Sequence, residues 1–222
     1  MIHLDRLTKY FPMRGGRKVI VENLTATFPT GASVALLGRN GAGKSTLLKL
    51  IAGTIRPTSG QVLSTGTISY PVGFSGSFSP DLTGVQNARF VGRLYGVDTD
   101  SLVDFVQDFA ELGRHFYMPL RTYSAGMKAR LSFGVSMGIP FDTYLVDEVT
   151  SVGDGAFRTK SVQVFEDRRK NAGAIVVSHS PPMIREICNI GAVLENGVLH
   201  FYNDIDEALE HHDRNLKVPP VR

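Results

Sequence analysis

Residues 38–45, Gly38-Arg39-Asn40-Gly41-Ala42-Gly43-Lys44-Ser45, fit the spacing G-x-x-x-x-G-K-[ST]. That spacing serves phosphate chemistry. Glycines let backbone N–H groups turn inward around phosphate oxygens without a clashing Cβ. The N–H groups of Gly38, Asn40, Gly41, Ala42, Gly43 and onward to Thr46 are therefore candidate phosphate donors. A helix opening near Lys44 adds its positive dipole end. Lys44 is suited to neutralise the β and γ phosphates, and the Ser45 hydroxyl to ligate Mg²⁺. A second cluster is the strand-like Thr143-Tyr144-Leu145-Val146 ending in Asp147 and Glu148. Asp147 is a candidate Mg²⁺ ligand, directly or through water, and Glu148 a candidate general base on an attacking water. A third apolar run, Ile175-Val176-Val177, leads into His179, which could reach a γ phosphate.

These residues act together only if the chain brings three strand ends to one side. Short apolar runs alternate with helical spacing, the pattern of an α/β sheet domain, and ligands of such sheets sit at the carboxyl ends of the strands. Strands are expected at Ile2–Leu7, Val19–Phe28, Ser33–Leu37, Gln61–Ser64, Thr67–Tyr70, Tyr144–Val146 and Ala174–Val177. A leucine-rich helix at Thr46–Ala52 follows the glycine-rich loop. Asn196-Gly197 signals a hairpin between Ala192–Glu195 and Val198–Phe201, and a short helix follows. Residues 75–82 read as an ordered loop, and Val85–Tyr95, Ser101–Leu112 and Ser124–Met137 as helices. The simplest layout is one 222-residue nucleotide-binding domain: a sheet core at about 1–79 and 139–205, with a helical insertion at about 80–138.

Bulk composition agrees. Hydrophobic residues make up 42% and charged residues 20%, enough for a sizeable core and against wholesale disorder. The net charge of +3 carries no basic run and gives little support for nucleic-acid binding. Cys188, the single cysteine, cannot form an internal disulfide and reads as a buried small residue in a reducing compartment. No secretory signal is visible, and no stretch approaches the roughly 20 apolar residues that span a bilayer. Work at a membrane would require spans from another chain.

With the phosphate loop, the acidic strand end and the histidine in place, Tyr123-Ser124-Ala125-Gly126-Met127 becomes specific. It resembles the LSGGQ signature of the ABC ATPases, and the resemblance runs from about Leu7 to Tyr202. It implies the P-loop NTPase sheet core of that family with its inserted helical subdomain. It also implies ATP and Mg²⁺ as cofactors and a head-to-tail pair of identical chains. Ser124 and Gly126 of one chain would then touch the γ phosphate held by Lys44 of the other. By the same resemblance Phe11 (or Tyr10) stacks on adenine, Asp154 lies in the loop that crosses to the partner, and His179 is the switch histidine. One departure stands out: where the family carries a Gln before the helical insertion, near Ser75, this chain has none, and Gln86 falls in the next helix.

The loop PVGFSGSF ahead of LTGVQN, the variant YSAGM and the sequence DEVTSVGD resemble exporters of capsular polysaccharide, with relatives exporting O-antigen and teichoic acid. That resemblance implies a homodimer on the cytoplasmic face of the inner membrane, peripheral, beneath permease subunits that carry the membrane spans. Periplasmic and outer-membrane export components would be further partners. Phe74, Phe78, Leu82, Phe90 and Tyr95 are candidates for the groove that receives the permease. Export of another cargo, such as a lipid or drug, and a soluble role on nucleic acid stand as rival readings, the latter disfavoured by the absence of a second cassette or a coiled-coil insertion.

Overall fold

A computed structural model describes residues 1–72, 78–147 and 155–217. These fall into two compact units, one of residues 1–71, 141–147 and 171–217, the other of 72, 78–140 and 155–170.

The first unit holds two sheets. Strands β1 (Ile2–Met13) and β2 (Gly16–Phe28) form a long antiparallel hairpin. The strand β4 (Ser59–Ser64) pairs with the other edge of β1, giving the order β2-β1-β4. The second sheet is built on β3 (Ser33–Leu37), β5 (Thr143–Asp147), β6 (Gly173–Val177), β7 (Ile190–Glu195) and β8 (Val198–Tyr202), in the order β5-β6-β3-β7-β8. The first four strands run parallel and β8 antiparallel at the edge. Every residue of β3 and β6 is buried, which is why these strands are continuous apolar runs and not alternating ones. At the hairpin tip Asn196 and Gly197 both take positive φ, 48° and 80°, the type I′ geometry that their pairing predicts.

Helix α1 (Lys44–Ile51) follows β3 and buries Leu47, Leu48, Leu50 and Ile51. These join Leu4, Leu7, Val21, Leu36, Leu145 and Leu194 in one apolar core. Helix α6 (Pro181–Ile187) follows β6, with proline in the first turn where a missing N–H costs nothing. Helix α7 (Ile205–Lys217) lies on β7, and Ala208 fits where Gly191 leaves no side chain. Cys188 is buried, as expected.

One expected strand is corrected. Thr67–Tyr70 forms only a bridge from Ile68 to Thr143. Asp142 competes for this segment: its carboxylate accepts from the Thr67 N–H at 2.7 Å and the Thr67 hydroxyl at 2.8 Å. Side-chain bonds thus replace ladder bonds, and they hold the Asp142 carboxyl below its ordinary range.

The second unit is helical: α2 (Gly84–Tyr95), α3 (Thr99–Ala110), α4 (Ala125–Gly138) and α5 (Gly155–Arg169). Thr83 and Gln86 cap α2 reciprocally, the Thr83 hydroxyl accepting from Gln86 N and the Gln86 carbonyl from Thr83 N. Phe109 sits at the centre, packed against Phe105, Phe133 and Phe157. Sequence spacing did not single out α5. Its buried face is Phe157, Ser161 and Phe165, and a serine at the middle position breaks the apolar period that would announce a helix.

Candidate functional site

The turn from β3 into α1 needs its glycines. Gly38 has φ 148°, and a Cβ there would stand 2.6 Å from the Leu194 carbonyl oxygen. Gly43 has φ 108°, and its Cβ would overlap a methyl of Ile20. Any side chain at either position forces the loop off the strands it rests on. The turn is closed by the Ala42 N–H, which donates to the Arg39 carbonyl at 3.1 Å. The Lys44 ammonium donates to the carbonyls of Gly38 at 2.6 Å and Arg39 at 3.2 Å. A cation is therefore already held at the mouth of the loop, beside the positive end of the α1 dipole.

Strands β5, β6 and β3 are neighbours and parallel, so their carboxyl ends lie side by side. The consequence is a cleft lined by Asn40, Gly41, Gly43, Lys44, Ser45 and Thr46 from the loop and α1, by Asp147 from the end of β5, and by Val177 and His179 from the end of β6. The structure thus brings together the loop, the acid and the histidine that the sequence selected separately. Lys18 and Ile20 of β2 complete the lining. Sequence reasoning missed both, although the glycine at 43 is the signal that something must press against the loop.

Phe11 is placed near this cleft but is not among its lining residues. It is 40% exposed on β1, directly opposite Lys18 in the β1–β2 register, with the Lys9 ammonium 4.9 Å above its ring. Tyr10, the alternative, lies under the Arg17 guanidinium at 5.2 Å. Ser124 and Gly126 belong to the helical unit. The Ser124 hydroxyl caps α4 by accepting from Met127 N at 3.2 Å, and both residues are exposed. Glu148, Asp154, Ser75 and Phe74 lie outside the described residues. Gln86 is engaged in its capping box.

One further residue, unselected by sequence, belongs to the electrostatics of the cleft. His212 of α7 is half-buried, and its Nδ1 has no hydrogen-bond partner among the described residues. Burial pushes its imidazole below the ordinary value and the Lys44 ammonium adds to this. His179 and His211 push the same way, while Asp213 opposes.

Residues 21–151 match the family described as ABC transporter. The chain belongs to the ABC transporter family. It is 44% identical over 213 residues to the polysialic acid transport ATP-binding protein KpsT of Escherichia coli, covering 95% of each chain. It is 41% identical over 213 residues to the capsule polysaccharide export ATP-binding protein CtrD of Neisseria meningitidis serogroup B, covering 96% of this chain and 99% of that one. Among solved structures, a dimeric post-hydrolysis ATP-binding cassette bound to ADP and Pi superimposes with a TM-score of 0.74 at 20% identity, over 91% of this chain and 98% of that one. The fold is therefore the ABC ATPase form of the P-loop NTPases, a domain type that binds nucleotide.

The donors in the cleft of this cassette fit Mg²⁺. Ser45 offers a hydroxyl and Asp147 a carboxylate, both hard oxygen ligands. Among the described residues no group of three His, Cys, Asp or Glu is arranged to hold a metal without help.

Proposed function

We propose that the chain is the ATP-hydrolysing subunit of an exporter of capsular polysaccharide. The observation that carries the cargo assignment is the near-complete alignment, at 41% and 44% identity, with subunits named for capsule polysaccharide export and polysialic acid transport. The observation that supports hydrolysis is the meeting of phosphate loop, Asp147 and His179 at three adjacent strand ends.

In this reading the loop N–H groups from Gly38 to Thr46 cradle the phosphates, Lys44 turns from the loop carbonyls to the β and γ phosphates, and Phe11 stacks on adenine. Ser45 and Asp147 would hold Mg²⁺, which would supply charge neutralisation to the phosphates. Glu148 takes a proton from the attacking water, and His179 holds the γ phosphate. Ser124 and Gly126 of a second copy close the site head to tail, so that ATP stabilises the pair by its binding free energy and hydrolysis releases it. The whole chain acts as one nucleotide-binding domain.

Among the described residues no helix is long and apolar enough to cross a membrane. Permease subunits would supply the spans, with this chain peripheral on the cytoplasmic face of the inner membrane. Periplasmic and outer-membrane components would carry the glycan onward. Phe90 and Tyr95, together with Leu94, are exposed on α2 at 51%, 37% and 66%, an apolar face that suits a permease helix.

The test is Lys44→Ala in the source organism, with surface glycan and cytoplasmic glycan quantified. Surface loss with internal accumulation is expected. Unchanged surface glycan, with ATPase activity confirmed in the parent protein, would remove the capsule assignment.

A further inference from the structure

Arg39 occupies a variable position of the phosphate loop, yet its two ends do different work. Its backbone carbonyl accepts from Ala42 N and from the Lys44 ammonium. Its guanidinium leaves the loop altogether: Nη1 donates to the backbone carbonyl of Asn215 at 2.7 Å, in a partly buried setting. Asn215 lies in the last turn of α7, where carbonyls have no partner within the helix and the dipole is negative. An arginine is the side chain best matched to that position.

The helix turn that Arg39 grips is itself fixed. The Asn215 amide lies 3.1 Å from His211 Nε2, one turn back. His211 Nδ1 pairs with the Tyr202 hydroxyl at 2.7 Å, and Nε2 faces the Glu195 carboxylate at 3.3 Å. Glu195 ends β7 and Tyr202 ends β8. The chain of contacts therefore runs from the loop through α7 to the edge hairpin of the sheet. The pair Gly191 and Ala208 seats the helix on β7 at its other end.

We propose that Arg39 is a positioning residue for nucleotide binding, latching the phosphate loop to the C-terminal helix through Asn215 and His211. The inference rests on the phosphate loop holding the nucleotide. Before nucleotide arrives, Lys44 ties down the carbonyls of residues 38 and 39. When its ammonium turns to the phosphates, those carbonyls lose that partner. The Arg39 side chain, together with the Ala42 N–H on its carbonyl, then keeps residue 39, and the N–H groups after it, in the cradle. The latch matters more in the bound state than in the empty one. By reciprocity, nucleotide must steady the last turn of α7 as much as the latch steadies nucleotide.

The experiment is calorimetric titration of the full chain with a non-hydrolysable ATP analogue and Mg²⁺, run beside unliganded melting and hydrogen exchange. Arg39→Met is expected to weaken binding about tenfold, the scale of one charge-assisted hydrogen bond, beyond the drop in unliganded melting temperature that losing its bond to Asn215 in the free chain entails. Arg39→Lys, which still donates to a carbonyl, recovers most of the affinity. His211→Leu weakens binding by a smaller factor and adds nothing on top of Arg39→Met, since both break one chain of contacts. In the parent protein the analogue slows amide exchange in residues 213–217, and in Arg39→Met it does not. Parental affinity in Arg39→Met, or full additivity of the two substitutions, overturns the latch. Lys44→Ala serves as the control: if it too binds like the parent, the phosphate-loop reading fails. If Lys44→Ala alone is weakened, that reading stands and only the latch falls.

Discussion

At the scale of single residues, the cleft already shows where charge is stored. The Lys44 ammonium is held by two carbonyls of its own loop, a geometry that keeps the cation close to the place a phosphate must occupy. Exchanging carbonyl for phosphate oxygens replaces neutral acceptors with charged ones, which are roughly twice as strong. Lys44→Ala is therefore expected to lower nucleotide affinity about a hundredfold, read by calorimetry on the purified chain. His212 contributes a pH dependence. Its folded-state pKa is depressed by burial and by Lys44, so the unfolded chain binds the proton more readily than the native one. Nothing is lost at high pH, where both forms are neutral. As pH falls through the unfolded value of about 6.5 toward the lower folded value, stability declines, then levels off. A melting series from pH 8 to pH 5 should show that decline, and His212→Gln should flatten it. The loop, Asp147 and His179 were legible in the sequence because each is a short pattern at a strand end. His212 was not, because its effect comes from α7 folding back beside a loop far away in the chain.

At the scale of elements, small polar residues decide where helices begin. Asn87 is fully buried at the start of α2. Its amide donates to the carbonyls of Ser79, Leu82 and Thr83, and its carbonyl accepts from Ser79 N. One side chain thus satisfies the backbone of the segment that leads into the helical unit. Asn87→Ala removes the partner of the Ser79 N–H and one donor to the Ser79 carbonyl, while the Leu82 and Thr83 carbonyls keep backbone bonds from the Leu120 and Asn87 N–H groups. The expected loss is about 1–3 kcal/mol, measurable by urea unfolding. Phe165→Ala on α5 should cost about 3–5 kcal/mol by the cavity it opens, since Phe165 is buried on the same face as Phe157. A loss below 1 kcal/mol would mean that α5 is held by its polar anchors instead. Those anchors are Lys160 to the Asp108 and Phe109 carbonyls and Arg168 to the Met137 carbonyl. The same chemistry explains what the sequence concealed. Helices α2, α3 and α4 carry clear caps in Thr83, Asp98 and Ser124 and were readable within a few residues. Helix α5 presents only two buried phenylalanines and a serine. The segment Thr67–Tyr70 looked like a strand by residue type, but Asp142 claims the Thr67 N–H and hydroxyl, and no ladder forms beyond Ile68.

At the scale of the whole molecule, a lone chain leaves its signature residues facing solvent. Ser124, Ala125 and Gly126 are exposed, and among the described residues a Cβ built at Gly126 meets nothing closer than the Ser124 hydroxyl at 4.0 Å. A side chain at 126 is thus tolerated within its own chain, because the position is open and carries no positive φ. In the proposed head-to-tail pair, the effect of filling it would come from contact with the other copy. Glu148→Gln, which keeps the shape of the proposed base and removes its basicity, should accumulate an ATP-bound dimer visible by light scattering after size exclusion. Gly126→Asp in that background places a carboxylate where a neighbouring γ phosphate is due. It should leave melting temperature and the affinity of one chain for ATP unchanged, yet abolish the ATP-dependent dimer. In the otherwise parental chain it should reduce ATP turnover by at least about a hundredfold, the penalty of setting like charges against each other at close range. A Gly126→Asp protein that still dimerises with ATP and hydrolyses it would show that the γ phosphate is completed from within a single chain. The signature residues would then cap α4 and do nothing more.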